Sequence, residues 1–281
     1  MKKNYDVFDF VAFMGPPPKN AKGDRNISPN GNADFQTDEH YSNVKKCGFN
    51  CVCATYEYTL EEYEKALIMC EKHGLSFVVR DQNRLDYYLN QYEGDDIYSV
   101  IESKSREFYN FFGEYLKYSS FAGYLASDEP PIRKYPYLKA GQEWFEKNCP
   151  NRFFQVNLLP NYANGEQLTG YVDGEYNYEK YLDDFITILS PHYLSYDHYA
   201  LIEDRKTGER YIRQSYLENL EIVAEKTKQA NINFSVFLLT LGHWDFRTVS
   251  RYEDIAWQVY TAMAYGAKGA QTFTYWTMLN A

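Results

Sequence analysis

The sequence predicts an α/β fold, a single-domain (β/α)8 barrel spanning residues 1–281. Three observations predict it. Eight short apolar, β-branched or aromatic runs alternate with amphipathic helix patterns along the chain, the order that builds a closed parallel sheet. The length of 281 residues suits one such barrel, typically ~250 residues. The connections are one-sided: helix-to-strand links are short, whereas strand-to-helix links are long and polar. The long links all fall at the strands' C-terminal ends, the face on which barrel sites are built.

The strand candidates are 7–14, 49–56, 75–80, 121–126, 153–159, 193–196, 234–239 and 270–275. Helix patterns fill the gaps at 38–47, 100–117, 135–147 and 178–189. Three further helices announce themselves by a Ser/Thr-x-x-Glu capping box, in which side chains at both ends of the first turn satisfy otherwise orphaned backbone amides. These are Thr59–Glu62, Ser215–Glu218 and Ser250–Glu253. After Thr59, the residues Leu60, Tyr63, Leu67 and Cys70 follow at helical spacing and Gly74 supplies a stop. The long links are 15–37, 81–98, 161–177 and 200–214. No helix pattern follows the eighth strand, so either the chain is a fragment or another segment covers that side of the barrel.

Composition narrows the function. The net charge is −10 with no basic run, which argues against a nucleic-acid partner and against acidic polymers as substrates. No segment reaches the ~18 apolar residues of a membrane span. The 29 tyrosines are unusually many; composition and amphipathic packing are the main cause expected, and the alternative is that some line a groove, where a flat face and polar tip suit a sugar. Cys47, Cys51 and Cys53 match no zinc or iron–sulfur spacing and read as buried thiols. Free thiols and the lack of a signal peptide lean towards a cytoplasmic setting, with a secreted or periplasmic one open if a leader was removed.

The strand ends carry the chemistry. They present Tyr56-Glu57, Arg80-Asp81, Asp128-Glu129, Asn157 with Asn161, Asp197-His198-Tyr199, His243-Trp244 and Tyr275-Trp276. There is no phosphate-cradling glycine loop and no His–carboxylate cluster at metal spacing, so no cofactor or metal is expected. Carboxylates among aromatic walls are what glycosidic cleavage needs: one acid protonates the leaving oxygen, and a second carboxylate attacks carbon or activates water. Glu129 is the candidate acid. It ends the fourth strand, and Pro130-Pro131 are expected to hold it extended. Asp128 should point the other way along the pleat, orienting Glu129, raising its pKa or binding a hydroxyl; capping the next helix is the alternative. Asp197 is the candidate second carboxylate. Asp81, with Arg80 as its neutralising partner, comes next. Tyr56, Asn157, His198, Tyr199 and His243 are candidate substrate contacts, and Trp244, Tyr275 and Trp276 candidate ring platforms.

Three stretches, "GYLASDEPP" (123–131), "CGFNCVCATY" (47–56) and "YEDIAWQVYTAMAYGAKGAQTFTYWT" (252–277), resemble the barrel glycoside hydrolases of the broad clan that includes β-galactosidases and cellulases. The resemblance implies Glu129 as acid/base and Trp276 as the ring-stacking platform. The chain departs from the clan in two places. Asp128 stands where the clan has Asn, and "SVFLLTLGHW" (235–244) lacks the usual strand-seven glutamate. A strand-four and strand-six pair would be similar to α-galactosidase-like barrels and would use Asp197. An acidic pair on strand four is also similar to hexosaminidases, in which the substrate's acetamido group is the nucleophile. The function expected is hydrolysis of glycosidic bonds in an oligo- or polysaccharide. The alternatives are a catalytically inactive carbohydrate-binding barrel and a lyase or isomerase acting on a small sugar acid.

Overall fold

A computed structural model describes residues 8–18, 34–54, 58–80, 84–247, 249 and 251–276. The chain alternates as expected. β1 (Asp9–Phe13), α1 (Asp38–Lys46), β2 (Cys51–Cys53), α2 (Leu60–His73) and β3 (Ser76–Val79) come first. Next are α3 (Leu85–Asn90), α4 (Ile97–Phe112), β4 (Phe121–Asp128), α5 (Tyr135–Asn148) and β5 (Phe153–Leu158). After these run α6 (Gly165–Thr169), α7 (Tyr178–Leu189), β6 (Tyr193–Asp197), β7 (Leu201–Glu203), β8 (Arg210–Ile212) and α8 (Ser215–Gln229). β9 (Asn233–Leu239), α9 (Tyr252–Ala264) and β10 (Gly269–Phe273) complete the order. Eight strands close in the order β1-β10-β9-β6-β5-β4-β3-β2, every neighbouring pair parallel, with β1 hydrogen-bonded to both β2 and β10. The fold is the (β/α)8 barrel that the alternation predicts.

Local chemistry explains the element ends. At α2 both halves of the capping box form: Thr59 Oγ1 accepts from Glu62 N (3.2 Å) and Glu62 Oε2 accepts from Thr59 N (2.8 Å). Gly74 ends the helix at φ +62°, a left-handed position that glycine takes without a Cβ penalty. The Ser215 box does not form, because α8 begins at Ser215 itself and the Ser215 hydroxyl lies 3.2 Å from His198 Nε2 instead. Ser250 of the third box lies outside the described residues; α9 starts at Tyr252 with no side-chain cap. The helix expected at 100–117 starts earlier, at Ile97, because Asp96 accepts from Ser99 N.

Two of the predicted long links carry short helices, α3 and α6. The 200–214 link is no plain loop: β7 and β8 pair antiparallel. Their turn is built by Asp204, whose carboxylate accepts from Lys206 N and Thr207 N, and by Gly208 at φ +71°. Cys51 and Cys53 are buried as expected, but Cys47 is exposed, because it caps the solvent-facing end of α1.

Two kinds of side chain fill the barrel. Phe13 meets Phe237 edge-on at 4.8 Å and Phe273 at 6.2 Å, closing the β1–β9–β10 side with aromatic rings. The β5–β6–β10 side is polar, with Gln155, Asn157, Ser195 and Gln271 all buried. Outside β4, Tyr124 packs on Phe112, Phe145 and Phe154, ring centroids 5.0 to 5.9 Å apart. Phe112 is fully buried at the centre of this shell and also contacts Phe111 and Trp144. Phe112→Ala should therefore cost about 3–5 kcal/mol, the range for emptying a packed aromatic site. Chemical denaturation reads this directly, and a loss below about 1 kcal/mol would contradict the packing described.

Candidate active site

The site begins with an irregularity in β4. Its register against β5 shifts between Leu125 (opposite Gln155) and Ser127 (opposite Val156), so Ala126 is an extra residue in the ladder. Asn90, at the end of α3, clamps this bulge: Nδ2 donates to Ala126 O (2.9 Å), while Oδ1 accepts from the Ser127 hydroxyl. The bulge re-aims the next residues of the strand, as bulges beside functional sites commonly do. Ser127 faces outward to Asn90, and Asp128 faces inward, where it accepts from Asn157 Nδ2 at 3.1 Å.

Glu129 does not take the extended conformation expected before Pro130. Its φ is +53°, in the left-handed region, which for a non-glycine residue stores strain of order 1–3 kcal/mol. The ladder still continues through it, since Glu129 N donates to Asn157 O at 2.7 Å. A straight pleat would send Asp128 and Glu129 to opposite faces. The left-handed turn instead brings the Glu129 carboxyl into hydrogen-bond contact with Asp197 at the end of β6. Asp197 is buried, and its Oδ1 accepts from the same Asn157 Nδ2 group at 2.9 Å. One amide thus joins β4, β5 and β6 through Asp128 and Asp197, and Glu129 closes the cluster.

Burial first, then neighbouring negative charge, shifts both acids upward. Asp197 is pushed well above the usual carboxylate range by desolvation, then by Glu129 and Asp128, with the Asn157 hydrogen bond opposing. Glu129 is raised by desolvation and then by Asp128, with its hydrogen bond to Asp197 opposing; the same bond raises Asp197. Its side chain is open to solvent at the cleft, yet protein surrounds most of the space around it, so water reaches the carboxyl without fully hydrating it. Two touching carboxyls cannot both ionise cheaply, so the pair holds one proton between them above the range of an isolated acid. Among the described residues, no lysine or arginine forms an ion pair with Asp128, Glu129 or Asp197, and no group of three His, Cys, Asp or Glu side chains is arranged to hold a metal ion.

The surroundings separate the sequence candidates. Tyr199 is buried beside the pair and contacts His243, Phe246 and Phe273 at 5.3 to 5.5 Å. His243 is half-buried in this aromatic group with Nδ1 2.9 Å from Leu241 O. Trp244 stands 74 % exposed beside it, the most accessible large ring of the strand-end candidates. His198 does not reach the cleft. It is buried between Tyr162 and Tyr216, and burial followed by the Arg213 charge pushes it down to about 3. Tyr275 follows β10 but turns its ring outside the barrel onto Phe49, 5.2 Å away, so it walls α1 rather than the cleft. Trp276 is half-buried against Phe35 and His40. Tyr56 and Asp81 lie outside the described residues.

Other site residues were not singled out by sequence. Tyr162 lies against the pair, its phenol raised by burial and then by Asp197, with the Arg213 guanidinium 4.1 Å above its ring. Gln155, Ser195 and Gln271 support Asn157 from within the barrel. The available signal was a polar residue at an inward position of an otherwise apolar strand.

No family model matches the chain, and no curated protein matches its sequence. Solved structures do share its fold. A protein from Bacteroides thetaiotaomicron described as an α-L-fucosidase superimposes with a TM-score of 0.61 at 10 % identity, covering 98 % of this chain and 87 % of its own. A β-galactosidase from the psychrophilic Marinomonas ef1 gives 0.61 at 9 % identity, covering 95 % and 54 %. The β-glucosidase from Thermotoga maritima in complex with deoxynojirimycin gives 0.51 at 12 % identity, covering 98 % and 89 %. At such identities the likeness establishes the barrel fold.

The raised pair fixes a pH dependence of stability. A carboxyl whose folded pKa lies above its unfolded value binds more protons in the native state, so its contribution is full below the unfolded value, about 4, and is lost as pH rises through the folded one. Asp197→Asn should therefore flatten the fall in unfolding free energy above about pH 4 and raise neutral-pH stability relative to wild type. Urea denaturation at pH 4, 6 and 8 measures this; an unchanged slope would contradict the shared proton.

Proposed function

We propose that this chain is a glycoside hydrolase acting on an oligo- or polysaccharide, with Glu129 as the general acid. One observation carries the reading: an accessible glutamate at the barrel's C-terminal face sits beside buried Asp197, and desolvation followed by the neighbouring Asp128 charge raises it above the usual carboxylate range. A protonated carboxylic acid beside an open cleft is what a glycosidic leaving oxygen requires. Aromatic faces on Tyr199, His243 and Trp244 supply walls for a sugar ring. The names of the fold neighbours, a fucosidase, a β-galactosidase and a β-glucosidase, add support for the reaction class.

The role of Asp197 changes under this reading. Retaining enzymes hold their two carboxyls ~5–5.5 Å apart and inverting enzymes ~6.5–9.5 Å, with the sugar between them. Asp197 is within hydrogen-bond contact of Glu129, too close to flank a bond from the far side. It serves instead as a buried carboxyl that sits against the acid and shares its proton. A nucleophile carried by the substrate, the acetamido group of an N-acetylated sugar, is consistent with this and with the adjacent Asp128. That contact favours this second reading over a strand-four and strand-six carboxylate pair.

Glu129→Gln should lower kcat about 10²- to 10⁴-fold on the best substrate of a glycan panel. Asp197→Asn should lower it as well and move the pH profile. Full activity in both variants would sink the assignment. In the same panel, equal turnover of matched glycosides with and without a 2-acetamido group would count against the substrate-borne nucleophile while leaving Glu129 in place.

A further inference from the structure

The wall beside the carboxyl pair carries a cation with no carboxylate partner among the described residues. Arg205, Arg210, Arg213, Arg247 and Arg251 lie in the segments that follow β6 and β9. All but one of them face an acid. Arg210 pairs with Glu203 at 2.8 Å and Arg247 with Asp254 at 2.6 Å, while Arg205 and Arg251 lie 3.8 Å from Asp245 and Asp254. Among the described residues, the Arg213 side chain has neither an ion pair nor a hydrogen bond.

The backbone brings Arg213 to the site. It follows the β7–β8 hairpin, and its N–H donates to Ala200 O at 2.7 Å, just beyond Asp197. Its guanidinium carbon lies 4.1 Å from the centre of the Tyr162 ring and 5.7 Å from that of Phe246. Both rings belong to the site. Phe246 contacts Tyr199 at 5.3 Å and His243 at 4.9 Å, and His243 leads on to exposed Trp244. Tyr162 is 38 % exposed and feels the charges of Asp197 and Glu129. His198, the other neighbour of Tyr162, stays neutral, because burial and then the Arg213 charge push it down to about 3. Arg213 therefore supplies the positive charge of this stretch of wall.

Stacking on aromatic faces positions a guanidinium but leaves its hydrogen bonds unmade. Arg213 Nε is closed off from solvent without an acceptor, whereas the two terminal nitrogens, equally without a protein partner, reach solvent. A half-buried guanidinium lacking an anion has lost hydration that nothing in the protein returns. Its planar fork fits a carboxylate or a sulfate through parallel hydrogen bonds.

We propose that Arg213 is a substrate-binding residue that receives an oxyanion on the sugar, a uronate carboxylate or a sulfate ester, and so makes the cleft selective for anionic glycans. The proposal rests on the glycoside hydrolase reading for its purpose, but not for its test. A net charge of −10 argues against acidic polymers for the surface as a whole. Fields from exposed charges fade within about 8 Å at physiological salt, so the local cation governs what docks beside it. Asp128, Glu129 and Asp197 would repel an anionic sugar, and Arg213 offsets this for a substituent turned towards Tyr162.

The test is an NMR titration of the ligand-free, full-length protein with labelled arginine and tyrosine side chains, the Arg213 and Tyr162 signals being assigned through their backbones. The probes are glucuronate, glucose 6-sulfate and neutral glucose at constant ionic strength. The Arg213 signal should shift saturably with an anionic sugar, and at least about tenfold more weakly with glucose. Response to glucuronate alone assigns a carboxylate, response to the sulfate alone assigns a sulfate ester, and response to both assigns a site for either. The Tyr162 signal should follow the same curve and lose it in Arg213→Gln. No saturable Arg213 shift with either anion, or an equal response to glucose, would overturn the proposal, and wild type alone decides this. Tyr162 saturation that persists unchanged in Arg213→Gln would overturn it too. An arginine that only staples Tyr162 to Phe246 would respond to none of the probes. Because no bond is cleaved in the measurement, absence of glycan turnover would count against the proposed function alone.

Discussion

The site depends on one amide. Asn157 donates to Asp128 on β4 and Asp197 on β6, and its own backbone carbonyl accepts from Glu129 N. Three carboxyl groups would otherwise repel one another at the mouth of a chain whose net charge is already −10. Two features offset that repulsion: the Asn157 donors, and a proton shared between Glu129 and Asp197. The β4 bulge clamped by Asn90 and the left-handed Glu129 backbone both bring acids to this amide.

The barrel explains why strain can persist there. A closed sheet fixes the strand ends, and the packed shell of Phe112, Tyr124 and Phe145 holds β4 from outside. A strained φ at Glu129 survives because the ladder bond to Asn157 O and the following Pro130 leave the chain few alternatives. The same rigidity keeps the two touching carboxyls together, where solvent alone would let them separate.

Much of this was legible in the sequence because it is written locally. Hydrophobic period, the Thr59–Glu62 box and the asymmetry of the links identify the barrel and its functional face. Glu129 and Asp197 stand out as acids ending apolar strands. The illegible part depends on register and distant contacts. A one-residue bulge at Ala126 decides which way Asp128 points, and nothing near it in sequence marks Asn90 as its clamp. Gln155 and Gln271 meet across 116 positions. Tyr275 and His198 sit at strand ends like their neighbours, and only the packing of Phe49 and Tyr162 shows that their rings leave the cleft.

The central claim is that Glu129 gives its proton to a leaving oxygen, and leaving-group dependence tests it most directly. Glu129→Gln and wild type would be compared on two glycosides of one sugar, one releasing a nitrophenolate and the other an alcohol. A nitrophenolate departs without protonation, whereas an alkoxide does not. Glu129→Gln should be damaged far more on the alcohol-releasing substrate, by about 10²-fold or more relative to the other. Equal losses on both substrates would contradict proton donation by Glu129.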